Sequence, residues 1–443
     1  MSYGITLAYP ASPLTEQLPG AYEGTEPPAL PRLLPDHGVV PVDLRAHLRR
    51  HGTLPYRGGP RRLIPEVEAA GLTGRGGAAF PVHRKLAAVA GSGSRPVVIG
   101  NGAEGEPASN KDKSLLWISP HLVFDGLQLA AEAVGSPTIG LYVHRSPRLL
   151  QRLAEALAER EAAGTDRVPV ELIEAPPRFL AGEESALASV AAGGAALPRL
   201  KPPRLSERGV AGRATLVQNA ESLAHVALIA RYGAGWFRSA GTADEPGSML
   251  ATLHQASGRM DVVETTLGTP LRDLLTLDGS RAVLVGGYHG AWLTAADAQR
   301  LTLSNADLRP LGAAVGAGVL AALPDDRCGL AETARVVRYL ALESAGQCGP
   351  CFNGLPRMAT ALAELAGPRP RPAVLADLER WCGLVAGRGA CHHPDGTVRL
   401  VRSALRVFAA EISRHAHGHC TGTSGRPFLP VPTESAIDDA DWN

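Results

Sequence analysis

The stretch GRGGAAFPVHRKLAAVAGSGSRPVVIGN, residues 74–101, decides the fold class. A glycine loop, GRGGAAF, runs into a helix-like PVHRKLAAVA, and RPVVIG then reads as a short buried strand ending at Asn101. Outward from this unit the alternation repeats. A helix is expected from Pro120 (PHLVFDGLQLAAEAV), a strand at 138–143 (TIGLYV), a polar helix near 147–162 and a strand at 168–175 (VPVELIEA). Strands alternating with helices of this length predict an α/β fold with a parallel, doubly wound sheet. Ligands of such sheets bind beyond the carboxyl ends of the strands, so the loops after Gly100 and Ala175 are the ones to inspect.

Gly74, Gly76 and Gly77 allow close backbone approach to a ligand, and a helix opening near Pro81 aims free N–H groups at an anion. Lys85, about one turn into that helix, and Arg75 are candidate phosphate partners; an ordinary strand–helix turn is the plain alternative. Past the strand, Asn101 leads into GAEGEP with Glu104 and Glu106, and AGEES later supplies Glu183 and Glu184. Four carboxylates and an amide suit the hydroxyls of ribityl and ribose groups and disfavour an extra 2′-phosphate. Solvated surface charge is the competing reading.

The chain has 443 residues, with 44 basic against 43 acidic, so a net charge of +1 gives no global field toward nucleic acid or an anionic membrane. Its longest apolar run, Leu311 to Leu323, stops at Pro324, short of the roughly 20 residues that cross a bilayer. The start, MSYGITLAYP, lacks the basic and apolar regions of a signal peptide, which predicts a cytoplasmic protein. Residues 1–60 read as an irregular Pro/Gly-rich arm with one amphipathic patch, VDLRAHLRRHG. Residues 61–245 read as the α/β domain, 246–325 as a small β-rich module, 326–420 as an all-α unit and 421–443 as a mobile tail.

Of six cysteines, Cys348 and Cys351 form Cys-x-x-Cys in GQCGPC, and Cys391 follows in GRGACHH. Thiolates so spaced converge on one metal centre, either iron–sulfur or zinc. His392, Cys382, Cys420 or a non-protein ligand could complete it, and Cys348, Cys351, Cys391 and His392 would make a zinc site. Cys382 and Cys328 read as packing. His415, His417, His419 and Cys420 read as a solvated helix terminus rather than a metal site.

GLTGRGGAAFP, NGAEGEPASNKDK, PHLVFDG, AGEESAL, RLKPP, TLVQNAESLAHV, LGTPL and ESAGQCGPC occur in one order between about Gly71 and Arg414. In that order they resemble the NADH-oxidising flavoprotein subunit of respiratory complex I, the family of its 51 kDa F subunit, and related NAD-reducing hydrogenases. GAAFPVHRKL and NGAEGEP are also similar to the NADH-oxidising subunit of Rnf-type oxidoreductases. The resemblance implies a Rossmann-like FMN-binding domain, then a β-grasp module of the soluble-ligand-binding type, then a helical bundle carrying a 4Fe–4S cluster. It implies hydride transfer from NADH to FMN and single electrons onward to a partner: a two-iron thioredoxin-like subunit, a ferredoxin or a membrane redox protein.

By motif match the flavin site would involve Gly74, Arg75, Gly76, Lys85, Asn101, Glu104, Phe179, Glu183, Glu184, Val217, Gln218 and Asn219. NADH would meet Phe80, Glu104, Glu106 and Lys201. The family's cluster pattern is C-x2-C-x2-C plus a distant cysteine, and Ala345 stands in its first position, which leaves Cys348, Cys351 and Cys391 and admits a 3Fe–4S cluster. Ala103, Phe179, Gln218, Ala88 and Arg204 also depart from the family's usual residues. Two alternatives stay open: an assembly subunit of the same fold with structural zinc or no metal, and an FMN protein reduced by ferredoxin.

Overall fold

Parallel strands need crossovers of a dozen or more residues, and the helices between the first four strands supply them. The computed structural model describes residues 30–35, 40–93, 95–200, 202–423, 425–433, 437 and 442. Strands β1 (Val97–Gly102), β2 (Ile139–His144), β3 (Val170–Ala175) and β4 (Thr215–Asn219) form a parallel sheet in the order β3-β2-β1-β4. Asn101 lies opposite Tyr142 on one side and Asn219 on the other. The strand order reverses beside β1, so the crevice between the ends of β1 and β4 is the topological switch point.

Eight helices accompany this sheet: α1 (Leu44–His51), α2 (Ile64–Ala70), α3 (Val82–Ala90), α4 (Lys111–Ile118), α5 (Pro120–Val134), α6 (Pro147–Ala162), α7 (Glu184–Val190) and α8 (Ala220–Arg238). Strand side chains alternate between two cores. Val98, Leu141 and Leu216 pack with Leu127, Leu153 and Leu223 of α5, α6 and α8, whereas Val97, Ile99 and Val217 face Leu187 of α7. Helices therefore cover both faces, as the alternating pattern predicts.

The next five strands, β5 (Ser248–His254), β6 (Met260–Thr266), β7 (Ser280–Val285), β8 (Ala291–Thr294) and β9 (Val319–Pro324), build a mixed sheet ordered β6-β5-β9-β7-β8. Its last strand runs parallel beside the first, and the other pairs are antiparallel, as in a β-grasp. Val283, Val285, Leu320 and Ala322 fill the core beneath short helices α9 (Leu271–Leu274), α10 (Ala295–Ala298) and α11 (Asn305–Leu308). Ala282, Leu284, Val319, Ala321 and Leu323 point the other way, into the helical unit. The run from Leu311 to Leu323 is thus loop and β9, and among the described residues no helix is long and apolar enough to cross a membrane.

The helical unit comprises α12 (Gly329–Leu342), α13 (Leu355–Leu365), α14 (Val374–Val385), α15 (His393–Val407) and α16 (Ala409–Ala416). One continuous helix was expected from Val398 onward. The chain instead breaks at Phe408, whose ring lies so close to Gly329 that a Cβ there would sit 2.1 Å from it. Trp292 fastens β8 to this unit, its indole N–H donating to Thr333 Oγ1 at 3.0 Å.

Both terminal segments pack against the folded units where they are described. Of the arm, residues 1–29 and 36–39 lie outside the described residues, but Leu33 and Leu34 are buried and the backbone N–H groups of Arg32 and Leu33 donate to Glu264 at 2.8 Å. The amphipathic patch is α1, capped by Asp43. The tail expected to be mobile is anchored where it is described: the N–H groups of Phe428 and Leu429 donate to Glu332, and Leu429 and Trp442 are buried. Apolar side chains in both segments cover core edges that would otherwise face water.

Candidate active site

A cleft of about 560 Å³ opens at the switch point, a volume usual for a small-molecule site. Gly76, Asn101, Glu104, Glu106, Phe179, Glu183 and Asn219 line it, and Cys391 stands on its wall. The close approaches there require glycine. A Cβ on Gly105 would lie 2.5 Å from the Phe179 carbonyl oxygen, and Gly77 has φ +106°.

Three helices begin at this edge, and expected site residues cap them. Glu104 accepts from the N–H groups of Asp112 and Lys113 at 3.3 and 3.2 Å and from the Ser109 hydroxyl. Glu183 accepts from the N–H groups of Ser185 and Ala186. Asn219 Oδ1 accepts from those of Glu221 and Ser222. Free N–H donors at helix starts attract such oxygens, so these side chains are ordered parts of the edge. Glu104, only 6% exposed, is no solvated surface charge.

Other expected residues do not line the cleft. Arg75 is buried and turned inward: its guanidinium donates to Thr73 Oγ1 and to the Ser248 and Pro246 carbonyls at 2.9, 3.2 and 3.3 Å, tying the glycine loop to β5. It is therefore no side-chain partner for a phosphate in this arrangement. Lys85 pairs with Glu184 and reaches the Val217 carbonyl at 3.4 Å. Gln218 is buried, Gly74 N–H closes the glycine loop onto Phe80 O at 2.9 Å, and Phe80 is exposed. Ala88 lies exposed on α3, Arg204 is exposed, and Lys201 lies outside the described residues.

Sequence reasoning passed over a charged network at the cleft floor. Lys111 Nζ lies 2.9 Å from Asp112 Oδ1 and 2.8 Å from Glu221 Oε2, all three buried. Burial opposes ionisation of Glu221, but Lys111 and His225 hold it down to about 2. Asp112 Oδ2 accepts from the Asn219 amide at 2.8 Å, and Glu221 Oε1 accepts from Leu250 N–H at 2.9 Å. The signal was present: a lysine and an aspartate open a helix directly behind the acidic loop, within NGAEGEPASNKDK.

His289 and His393 were also unassigned. His393 Nε2 donates to the Leu340 carbonyl at 2.8 Å, so its Nδ1 accepts from His289 Nε2 at 3.0 Å. Burial first, then His393 and Arg399, hold His289 well below the ordinary histidine range, and burial lowers His393 to about 4. This neutral pair packs against Phe179, with ring centroids 4.8 and 5.7 Å away, between the acidic loops and Cys391.

Glu106 bridges two modules, accepting from Tyr288 N–H at 2.9 Å. Burial, with a smaller push from Glu104, raises it to about 7. Its folded state then binds the more protons between about 4.5 and 7, so stability falls as pH rises through that window. Between pH 4.5 and 8 the loss traceable to Glu106 is roughly 3 kcal/mol at most. Urea midpoints for wild type and Glu106→Gln across this range should show a flatter profile in the variant; parallel profiles would count against it.

Cys351 is buried, and Cys348 and Cys391 are half-buried. Burial, then the neighbouring Cys348 and Cys391 sulfurs, push the Cys351 thiol up to about 12, while the Ser344 hydroxyl hydrogen-bonds it. These thiols belong to no set of donor atoms lying mutually within 4.8 Å. The three sulfurs are neighbours, as a shared metal centre requires. Of the expected closing ligands, His392 lines the same cleft as Cys391 with its side chain fully exposed beside Asp395, whereas Cys382 is buried in the α14 core and Cys420 belongs to another cluster. Ala345 packs against the group of Leu180, Ala181, Ala196 and Trp442.

Residues 67–228 match the family profile of the Nuo51 FMN-binding domain, and residues 331–415 match that of the NADH-ubiquinone oxidoreductase-F iron–sulfur binding region. The chain is 28% identical over 375 residues to the second F subunit of NADH-quinone oxidoreductase in Rhizobium meliloti (strain 1021), covering 80% of this chain and 89% of that protein. It is 29% identical over 400 residues to the NADH-quinone oxidoreductase F subunit of Streptomyces coelicolor, covering 86% and 87%. Among solved structures, an NAD+-reducing NiFe-hydrogenase in the air-oxidised state superposes with a TM-score of 0.74 at 27% identity, over 84% of this chain and 67% of that chain.

Proposed function

The chain belongs to the complex I 51 kDa flavoprotein family, the F subunits of the NADH-quinone oxidoreductases, and from that premise we propose that it oxidises NADH at bound FMN and passes electrons through an iron–sulfur cluster to partner subunits. The observation that carries this reading is the single cleft whose one wall holds the acidic loops and whose other wall holds Cys391. Such a cleft brings a nucleotide-sized site beside a thiolate centre.

The residues present fit both groups: a glycine wall where a Cβ would collide, ordered acceptors at three helix starts, and three neighbouring thiols. FMN, when bound, supplies hydride acceptance and one-electron release, and the cluster supplies single-electron carriage. The chain supplies position. Gly76, Asn101, Glu104, Glu183 and Asn219 form the flavin wall, with Lys85, Glu184, Val217 and Gln218 packed behind it. Gly74 and Arg75 set the loop's shape.

Glu106 on the cleft wall and the exposed Phe80 are the residues proposed to meet NADH, as is Lys201, which lies outside the described residues. Cys348, Cys351 and Cys391 hold the cluster, and Phe179 with its two neutral histidines fills the gap and keeps water out. The match to the iron–sulfur binding region over residues 331–415 supports a cluster rather than structural zinc at these thiols. The partner we infer is a soluble or peripheral one-electron carrier, such as a two-iron thioredoxin-like subunit or a ferredoxin. The quinone-oxidoreductase relatives support a cytoplasmic position at the edge of a membrane assembly.

Anaerobically purified chain should carry a flavin spectrum that stoichiometric NADH bleaches. A colourless chain that takes up no FMN on reconstitution, or a flavin that NADH leaves oxidised, would overturn the reading.

A further inference from the structure

At the far end of α12 from Cys348, four side chains from three separate segments meet. Cys328 precedes α12, Glu411 and His415 lie one turn apart on α16, and Cys420 follows that helix; Sγ, Oε1, Nε2 and Sγ all lie within 4.8 Å of one another. We propose that these four residues form a structural zinc site, separate from the cysteines that hold the cluster. The sequence reading took Cys328 for packing and the His415–Cys420 region for a solvated helix end. Cys328 is buried as that reading expects, and His417, His419 and Cys420 are exposed, but His415 is buried together with Glu411.

Three edges of the group match those of a tetrahedron around a single ion. Zinc binds sulfur at about 2.3 Å and imidazole nitrogen or carboxylate oxygen at about 2.0 to 2.2 Å, which sets tetrahedral edges of about 3.6 Å for sulfur to nitrogen or oxygen and about 3.4 Å for nitrogen to oxygen. Cys328 Sγ to His415 Nε2 is 3.6 Å, Cys420 Sγ to Glu411 Oε1 is 3.6 Å, and His415 Nε2 to Glu411 Oε1 is 3.3 Å.

The surroundings independently prepare each ligand. His415 Nδ1 lies 3.2 Å from the Leu365 carbonyl, to which it donates, and this turns Nε2 toward the sulfur and carboxylate. Arg281 holds Glu411 Oε2 at 2.8 Å, and Oε1, which accepts from Thr421 N–H at 2.9 Å, is the oxygen turned toward His415 and Cys420. Backbone N–H groups donate to both sulfurs, Ala331 N to Cys328 Sγ at 3.4 Å and Gly422 N to Cys420 Sγ at 3.3 Å, which fixes where each sulfur points. His415 Nε2 and Glu411 Oε1, 3.3 Å apart in a buried pocket, need either a proton on the imidazole or a metal ion between them.

All four positions come from protein, the mark of a structural rather than a catalytic zinc. Binding would displace the two thiol protons and tie the start of α12, the end of α16 and the segment after it into one unit. With 14 residues in α12, the site lies about 21 Å, at 1.5 Å per residue, from the cluster end of that helix. Its loss should spare flavin and iron.

The test is metal analysis of the full chain. Wild type should hold about one zinc per chain besides its iron, and Cys420→Ser should lose that zinc while keeping iron, FMN and NADH bleaching. Cys420→His, which restores a ligand, should recover it. Cys420 is exposed, so its replacement leaves the core intact, and zinc-edge X-ray absorption of the wild type should show two sulfur and two lighter ligands. Zinc unchanged in Cys420→Ser, no zinc taken up when the metal is supplied, or a Cys328–Cys420 disulfide in its place would each overturn the proposal.

Discussion

Methionine in place of Lys111 should destabilise the chain by about 3–5 kcal/mol and release the flavin. Lys111 is 2% exposed, and its ammonium lies between two buried carboxylates. Removing it leaves Asp112 and Glu221 without their shared cation, and Glu221 can no longer stay ionised near 2. The consequences spread along named bonds: Asp112 orients Asn219 on the flavin wall, and Glu221 holds Leu250 of β5. Urea unfolding with flavin quantification checks this. Lys111→Arg should keep much of both, and Asp125→Asn is the matched control. Asp125 is equally buried, but its partners Arg160, Arg231 and His47 lie on the helices behind the sheet, so it should cost stability without singling out flavin. A Lys111→Met chain with unchanged midpoint and full flavin would refute the keystone role.

Serine in place of Cys391 should remove most of the iron and slow electron delivery to a protein acceptor at least tenfold, while NADH still bleaches the flavin. The separation follows from placement: Cys391 stands on the cleft wall, yet the expected flavin wall is built from other segments. Ala345→Cys should act in the opposite direction, raising iron toward a full four-iron complement, because Ala345 adjoins Ser344, whose hydroxyl already reaches Cys351. Iron content and low-temperature paramagnetic resonance would report both. Iron retained in full by Cys391→Ser would remove that residue from the cluster.

The alternation of strands and helices was legible from residues 74–175 because period and punctuation agreed there, and TIGLYV and the helix at 147–162 fall within a residue or two of β2 and α6. The acidic loops were legible as a site, but not their work as helix caps, since capping depends on where the next helix begins. Arg75 misled because an arginine among glycines reads as an anion ligand. Only the folded chain brings the Ser248 and Pro246 carbonyls over it. Cys328 and Cys420 could not be paired on paper, because nothing in their spacing shows that the start of α12 and the end of α16 come together.

The β-grasp sheet buries one face against its own short helices and the other against the helical unit. It behaves as mortar rather than as a detachable brick. Cutting the chain after Pro324 would uncover Leu284, Trp292 and Leu323 along one flat apolar surface, an invitation to aggregation. The segment between flavin and cluster is therefore inherited, expressed and unfolded with its neighbours, and an engineer seeking a minimal electron-transfer unit must carry all three pieces together.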